Sequence, residues 1–442
     1  MIKMKLKMTT VQVILLGFLC MILFGTFLLM LPVATKGAHG ASFFDALFTA
    51  TSAACVTGLS VQDTATYWSM FGKIVIILLI QVGGMGVITV VVAITMLMGK
   101  KIGLAQRKIM QESISADKLG GIIGFTSNII KVVFVIELLG AVLLFPVFYK
   151  EHGILSGIGY SLFHSVSAFC NAGFDLMGYH EKFSSLTYYN SNVLLNIVIV
   201  MLILVGGIGF GTWKDIWHNK WHLKKYSLQS KLVLCASVVL LVIPFIYYYF
   251  GEYTWLSGKE RVLAAVFQTV TPRTAGFNTQ DLTKLSDSGI VVMIMLMLTG
   301  GASGSTAGGM KITTIAVLVC MAVSVVRHHK DASAFGRRIH MESIKNAATV
   351  MILYNMLFVL AAVVISKIEA LPMLTCMFET SSAIATVGLT LGITPGLGMV
   401  SKVILILLMF LGRVGGLTIF FAAFADKKTH MGRFPEESVS VG

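Results

Sequence analysis

The chain has 442 residues, of which 56% are hydrophobic and only 12% charged, and its mean hydropathy is +0.85. Soluble proteins carry about 25% charged residues, and several apolar runs here reach the ~20 residues that cross a bilayer, so a soluble fold is excluded. The formal net charge is +14, but the basic residues stand in short clusters beside apolar runs, which speaks against nucleic acid and for anionic membrane lipid or a cytoplasmic protein.

Along the chain the same plan recurs four times. Lys3, Lys5 and Lys7 precede a helix expected over 11–33, too long for a cleaved signal. A short apolar segment follows over 42–55 and a second long helix over 71–98. Lys100, Lys101, Arg107, Lys108 and Lys118 lead into segments over 127–149, 157–170 and 192–214. Lys214, Lys220, Lys224, Lys225 and Lys231 belong to the next basic cluster, ahead of 231–250, 260–273 and an interrupted 288–326. Arg327, Lys330, Arg337, Arg338 and Lys345 cluster at the start of 344–366, which is followed by 371–385 and 399–425, and Lys427, Lys428 and Arg433 follow the last of these. The units are therefore 1–100, 101–220, 221–338 and 339–428, with a cytoplasmic tail at 429–442.

The middle segment of each unit is too short to span and has the length of a re-entrant half-helix. Each unit then crosses twice, and all four enter the membrane in the same orientation. The expected fold is an all-α integral membrane protein, with eight transmembrane helices in four parallel repeats around one central pore. By the positive-inside rule the basic clusters and both termini are cytoplasmic, and the short segments dip in from outside.

The short segments end in one phrase: VTGL at Val56–Leu59, NAGF at Asn171–Phe174, TAGF at Thr274–Phe277 and TVGL at Thr386–Leu389. Phe48, Phe163, Phe267 and Phe378 precede its Gly by nine or ten residues. The long helices that follow share a second motif: Val82–Gly86, Val205–Gly209, Thr299–Ser303 and Leu411–Gly415. An ion leaving water needs its hydration shell replaced by oxygens at fixed spacing, and backbone carbonyls of a short loop supply them. Gly allows the positive φ that turns successive carbonyls to one axis. The candidate ion filter is Val56, Thr57 and Gly58; Asn171, Ala172 and Gly173; Thr274, Ala275 and Gly276; Thr386, Val387 and Gly388. An ion would bind at their carbonyls. The fourth copy comes closest to the first half of a potassium-channel TVGYG loop, and no copy has the second Gly.

Gly300, Gly301, Ser303, Gly304, Ser305, Thr306, Gly308 and Gly309 interrupt the third of these helices. Each Gly costs about 1 kcal/mol in a helix relative to Ala, so an irregular loop lying across the cavity below the filter is expected, as a gate. Arg413 takes the place that Gly84, Gly207 and Gly301 hold in the other units. An intramembrane Arg must face the cavity, either opposing cation passage or hydrogen-bonding carbonyls of the interrupted helix. Asp45, Glu379, Asp175 and Asp281 flank the phrases, as mouth charges or as local caps. Glu137, with Lys131 six residues earlier, reads as a buried pair or as a carboxylate with a snorkelling Lys. Arg273 has no account in the sequence. Cys20, Cys55, Cys170, Cys235, Cys320 and Cys376 are spread singly as apolar fillers, with Cys55 and Cys170 packing the loops. No catalytic constellation and no transition-metal spacing is present, so an enzyme is not expected.

Taken together, the four Gly loops, the interrupted third helix and the lone Arg in the fourth resemble the membrane subunit of the Ktr/Trk/HKT potassium-uptake superfamily, most closely its bacterial Ktr type. The resemblance covers essentially the whole chain. It implies K+ uptake across a bacterial cell membrane through a central pore, with Na+ as a stimulator; obligatory sodium–potassium symport is the alternative. It further implies that Arg413 contributes to the barrier beneath the filter. The implied assembly is a homodimer on a cytoplasmic nucleotide-binding regulatory ring of the KtrA/KtrC type, with any nucleotide held by that partner and no cofactor in this chain.

Overall fold

The computed structural model describes residues 10–37, 39–86 and 120–415, a few positions between 89 and 111, and residue 437. The chain is almost wholly helical. Helix α1 (Thr10–Met30) is followed by the short α2 (Phe43–Ala54) and by α3 (Met70–Met85). The helix expected over 71–98 is interrupted at Gly86, where φ is 85°, and beyond it only residue 89 of that range is described. Helix α4 (Ile122–Phe169) runs as one element through both segments expected over 127–149 and 157–170, turning at Gly153, where φ is 73°. A left-handed residue breaks helical geometry, so Gly153 separates a spanning arm from a short arm.

The segment read as one helix over 192–214 is two, α5 (Val193–Gly207) and α6 (Phe210–Asn219), which meet at 95°. The apolar run continues through Ile208 and Phe210, but Gly209 takes φ 92° and redirects the chain. Helix α7 (Leu228–Tyr247) and the short α8 (Gly258–Val270) precede α9 (Asp287–Leu298) and α10 (Ile312–Val326). The break between α9 and α10 covers the Gly-rich stretch. A two-stranded hairpin, β1 (Ser333–Ala334) with β2 (Arg337–Arg338), leads to α11 (Met341–Glu369), the short α12 (Met373–Ile384) and α13 (Met399–Val414). Beyond Gly415 the last helix expected, over 399–425, again leaves the described residues.

Among the described residues, four helices are long and apolar enough to cross a membrane: Gln12–Met30 within α1, α4, α7 with its extension to Trp255, and α11. The bent pair α5–α6 makes a fifth if counted as one span. Their outer faces expose large apolar side chains, such as Leu23, Phe24 and Phe27 on α1 and Phe134, Leu138 and Val142 on α4. Such faces are unfavourable in water and natural against lipid tails. Inside, Phe48, Phe163, Phe267 and Phe378 are all buried, one on each short helix or arm, in the same apolar clusters as residues of the Gly loops.

Candidate pore: four glycine loops above a clamped loop

Each short helix or arm stops at a Gly loop, and the same backbone device follows in each. The first residue of every phrase is left-handed: φ is 57° at Val56, 59° at Asn171, 66° at Thr274 and 51° at Thr386. The Gly two residues later is left-handed as well, at 96°, 67°, 80° and 93°. A β-branched residue at positive φ costs roughly 1–3 kcal/mol, so Val56, Thr274 and Thr386 need surroundings that hold them there. Hydrogen bonds back to the preceding helix do so. Thr57, Ala172 and Val387 each donate their N–H over 2.8 Å to Ser52, Ser167 and Ser382, and Ala275 donates over 3.0 Å to Thr271.

The hydroxyls of those same four residues brace the loops in two ways. Ser52 and Ser382 accept from the N–H of Gly58 and Gly388 at 3.1 and 3.0 Å. Ser167 and Thr271 instead donate to the carbonyls of Phe174 and Phe277. The sequence reading missed these residues, although a signal was present. Ser52, Ser167 and Ser382 lie six residues before the Gly and Thr271 five, the same one-residue offset that Phe267 shows.

The loops close into a ring in chain order. A Cβ placed on Gly58 would collide with the carbonyl of Ala172, one on Gly173 with that of Ala275, one on Gly276 with that of Val387, and one on Gly388 with that of Thr57. Only a residue without a side chain allows this approach. Thr57 Oγ1, Asn171 Oδ1 and Thr386 Oγ1 are buried in the ring without a hydrogen-bond partner among the described residues. The C-terminal ends of α2, α4, α8 and α12 all meet it. Helix C-termini carry about −0.5 charge, so the ring is a favourable place for a cation.

The second repeated motif has a different reason. Gly83, Gly206 and Gly412 press against the last carbonyls of the short helices, at Ala54, Phe169 and Ile384, where a Cβ would collide. The equivalent Gly300 instead takes part in the neck of the loop between α9 and α10. There Gly300 N–H donates to Met310 O over 2.8 Å and Ile312 N–H to Gly301 O over 3.0 Å.

That loop lies directly beneath the ring. Gly308 abuts the Thr386 side chain and Gly309 the Ala385 carbonyl. Thr306 Oγ1 donates to Phe169 O at 3.0 Å. The α5–α6 corner holds the loop through Ala302 N–H to Gly207 O (2.9 Å), Thr306 N–H to Gly206 O (3.3 Å) and Phe210 N–H to Gly304 O (2.7 Å). Ser305 closes on Ala302 O, and Ser303 meets Thr313 at 3.3 Å. Arg413 clamps it from the other side: Nη1 donates to Thr306 O at 2.5 Å, and Nη2 to Gly83 O and, at 3.1 Å, to Gly84 O. Of the two roles open to Arg413, carbonyl binding is therefore present. Lys311, absent from the sequence candidates, adds a second donor group, its Nζ donating to Ala307 O and Gly308 O at 2.8 and 3.2 Å. A lysine inside an apolar run was the overlooked signal.

Above the ring is a cavity of about 180 Å³, lined by Gly58, Gly173, Gly276 and Gly388 and by Asp63, Asp175 and Asp281. Asp63 was not a sequence candidate; its carboxylate accepts from Ala65, Thr66 and, across to the second loop, Phe183 N–H at 3.1 Å. Asp45 is not among the lining residues and accepts from Gln62 Nε2. Glu379 is buried behind the fourth loop, where Thr390 and Thr394 donate their hydroxyls to it. Glu379→Ala strands those hydroxyls, which costs about 1–3 kcal/mol. Thermal unfolding in detergent should show that loss, with Glu379→Gln closer to the parent protein.

Glu137 is buried, but its partner is not the exposed Lys131: Gln81 Nε2 donates to its carboxylate at 3.1 Å, and Cys170 Sγ lies 3.8 Å away. Cys170 packs against Gly84, and Cys55 is buried. Arg273 donates to Ser237 Oγ at 2.9 Å, while its Nε and Nη1 have no partner among the described residues. The described residues contain no group of three His, Cys, Asp or Glu side chains able to hold a metal ion.

Comparison with known proteins agrees with this geometry. Residues 7–430 match the TrkH family of cation transport proteins. The chain is 39% identical to the potassium/sodium uptake protein NtpJ of Enterococcus hirae, over 99% of this chain and 98% of that one. It is also 39% identical to the Ktr system potassium uptake protein B of Bacillus subtilis, over 99% and 97% of the two chains. The crystal structure of the potassium transporter TrkH from Vibrio parahaemolyticus has the same fold, with a TM-score of 0.71 at 21% identity, covering 95% of this chain and 86% of that one. A helical membrane chain with a ring of backbone loops, matched along nearly its whole length, belongs to the TrkH family of cation transport proteins.

Proposed function

We propose that this chain is the pore-forming membrane subunit of a bacterial potassium uptake system. Eight spans in four parallel repeats surround one pore in the plasma membrane, with both termini cytoplasmic. K+ enters from outside, sheds water at the carbonyls of the ring, and passes inward with the membrane potential as the main drive. The loop over 300–309 and Arg413 close the path below. Two such subunits assemble on a cytoplasmic nucleotide-binding ring of the KtrA/KtrC type, and Na+ stimulates transport. The observation that carries this reading is the closed ring, in which each Gly rests on a carbonyl of the next loop. The naming of one 39% identical relative as a potassium uptake protein, and of the other as a potassium/sodium uptake protein, supports K+ as the cargo.

Purified protein in liposomes tests it. Potassium-dependent flux that exceeds sodium flux is expected. Equal fluxes, or none, would sink the reading. Currents with and without Na+ separate stimulation from a fixed stoichiometry.

The mouth adds a pH dependence. Withdrawal from water, and secondarily the charge of Asp63, push the Asp175 carboxyl up to about 7, partly offset by the Met177 N–H that it accepts. As pH rises through 7, Asp175 loses its proton and the mouth gains a negative charge. Uptake at low external K+ is therefore expected to rise between about pH 6 and pH 8, and Asp175→Asn to flatten the profile. The stability term runs the other way. A carboxyl with a raised folded pKa stabilises the fold fully at low pH and loses that contribution as pH rises towards 7.

A further inference from the structure

Helix α6 has two unlike sides. One is built into the protein: Phe210 and Thr212 are buried, and Trp213 donates its Nε1–H to Val205 O at 3.1 Å while packing on Phe210 and Phe169. The other carries Trp217, 84% exposed, and Trp221 just beyond the helix, 95% exposed. Around them stand the exposed Lys214, Lys220, Lys224 and Lys225. Bare indole rings beside lysines are unfavourable in water and are characteristic of the headgroup region of a bilayer.

The depth of α6 fits that environment. Lys214 Nζ sits 5.5 Å over the ring of Phe125, in the first turn of the spanning helix α4. Asp215 accepts the N–H and hydroxyl of Ser227, the N-cap of the spanning helix α7, at 3.0 and 2.7 Å. Helix α6 is thus level with the starts of two spans and, at 95° to α5, turns away from its direction. Its first residue, Phe210, donates to Gly304 in the loop beneath the ring.

We propose that the Trp217–Trp221 face of α6, with its four lysines, docks on anionic phospholipid headgroups of the cytoplasmic leaflet, and that this contact loosens the 300–309 loop through the α5–α6 corner. The inference rests on the orientation and gate given under Proposed function. Its chemistry is charge complementarity between ammonium groups and phosphates, with the indoles seated at the interface. Drawing α6 towards the headgroups pulls the Phe210 N–H away from Gly304 O and weakens one of the loop's three bonds to that corner.

The test compares full-length protein in phosphatidylcholine liposomes with protein in liposomes that also contain phosphatidylglycerol. Rubidium flux is expected to rise about fivefold with the anionic lipid, the lower end of ordinary coupling between two sites. A variant with Lys214, Lys220, Lys224 and Lys225 all changed to Gln should keep its flux in phosphatidylcholine and lose the rise. An equal rise in parent and variant would overturn the coupling. Soluble inorganic phosphate that reproduces the rise would overturn the lipid assignment in favour of a free-anion site.

Docking is read separately from transport. Phosphatidylglycerol brominated high on its acyl chains should quench tryptophan fluorescence more in the parent than in a W217F/W221F variant. Equal quenching would overturn docking and leave this face to a soluble protein. Absence of flux in every liposome, with the quenching difference intact, would sink the transport reading and not the docking.

Discussion

Replacing Arg413 with alanine should raise rubidium flux about tenfold. The guanidinium holds Thr306 O on one side and Gly83 O and Gly84 O on the other, so it ties the loop beneath the ring to the end of α3. Hydrogen bonds to a charged group contribute about 1.5–3 kcal/mol each, and 1.4 kcal/mol is already a factor of ten in an open–closed ratio. The substitution also removes a positive charge from beneath the ring. Arg413→Lys should fall between, because an ammonium keeps the charge but does not span both sets of carbonyls. Shortening the loop within residues 300–309 should raise flux in the same direction. Unchanged or reduced uptake, from protein that elutes as a single species and binds the membrane normally, would rule out the gate. The remaining anchors at Gly206, Gly207 and Phe210 explain why Arg413→Ala is not expected to leave the path fully open.

Alanine at Gly276 should lower the preference for K+ over Na+ by tenfold or more. Its φ is 80°, and a methyl there meets the carbonyl of Val387 in the adjoining loop. Strain of about 1–3 kcal/mol falls on two neighbouring sets of backbone oxygens, and the preference of a carbonyl filter depends on how such oxygens are arranged. The ring makes the effect general. Gly58, Gly173 and Gly388 each oppose the next loop in the same way, so each alanine should damage two repeats. Gly392→Ala is the control: it shares a left-handed φ of 90° and lines the same mouth, but nothing lies within 4 Å of its Cβ position. Comparable loss of selectivity at Gly392 and Gly276 would show that collision within the ring is not the cause.

Much of the candidate site was legible because it is written locally. A Gly-centred phrase at the end of a short apolar segment, four times over, needs no knowledge of packing to be noticed. The break at 300–309 follows from Gly density alone. The buried hydroxyls at Ser52, Ser167, Thr271 and Ser382 were less visible, since small polar residues in a short helix usually signify little until their donors and acceptors are in place. The bend at Gly209 was invisible for a related reason. Hydropathy is continuous across it, and the turn is held by a hydrogen bond from Phe210 to a residue nearly a hundred positions later. Of the two readings of Glu137, the pair with Lys131 is absent because Lys131 is exposed, and Gln81, on another helix, is the residue that reaches the carboxylate.

The sequence by itself determined that this is a membrane protein, where its apolar helices lie, that four loops need Gly, and that one helix must break. These follow from composition, from periodicity and from the conformational limits of single residues. Only the tertiary structure decided that each loop rests on the next in chain order, which carbonyls Arg413 holds, that Lys311 joins the loop below, and that α6 turns aside with its tryptophans exposed. Those outcomes depend on contacts between residues far apart in the chain, such as Arg413 and Gly83. Such contacts form only when several helices pack together and most of the polar groups buried with them find partners.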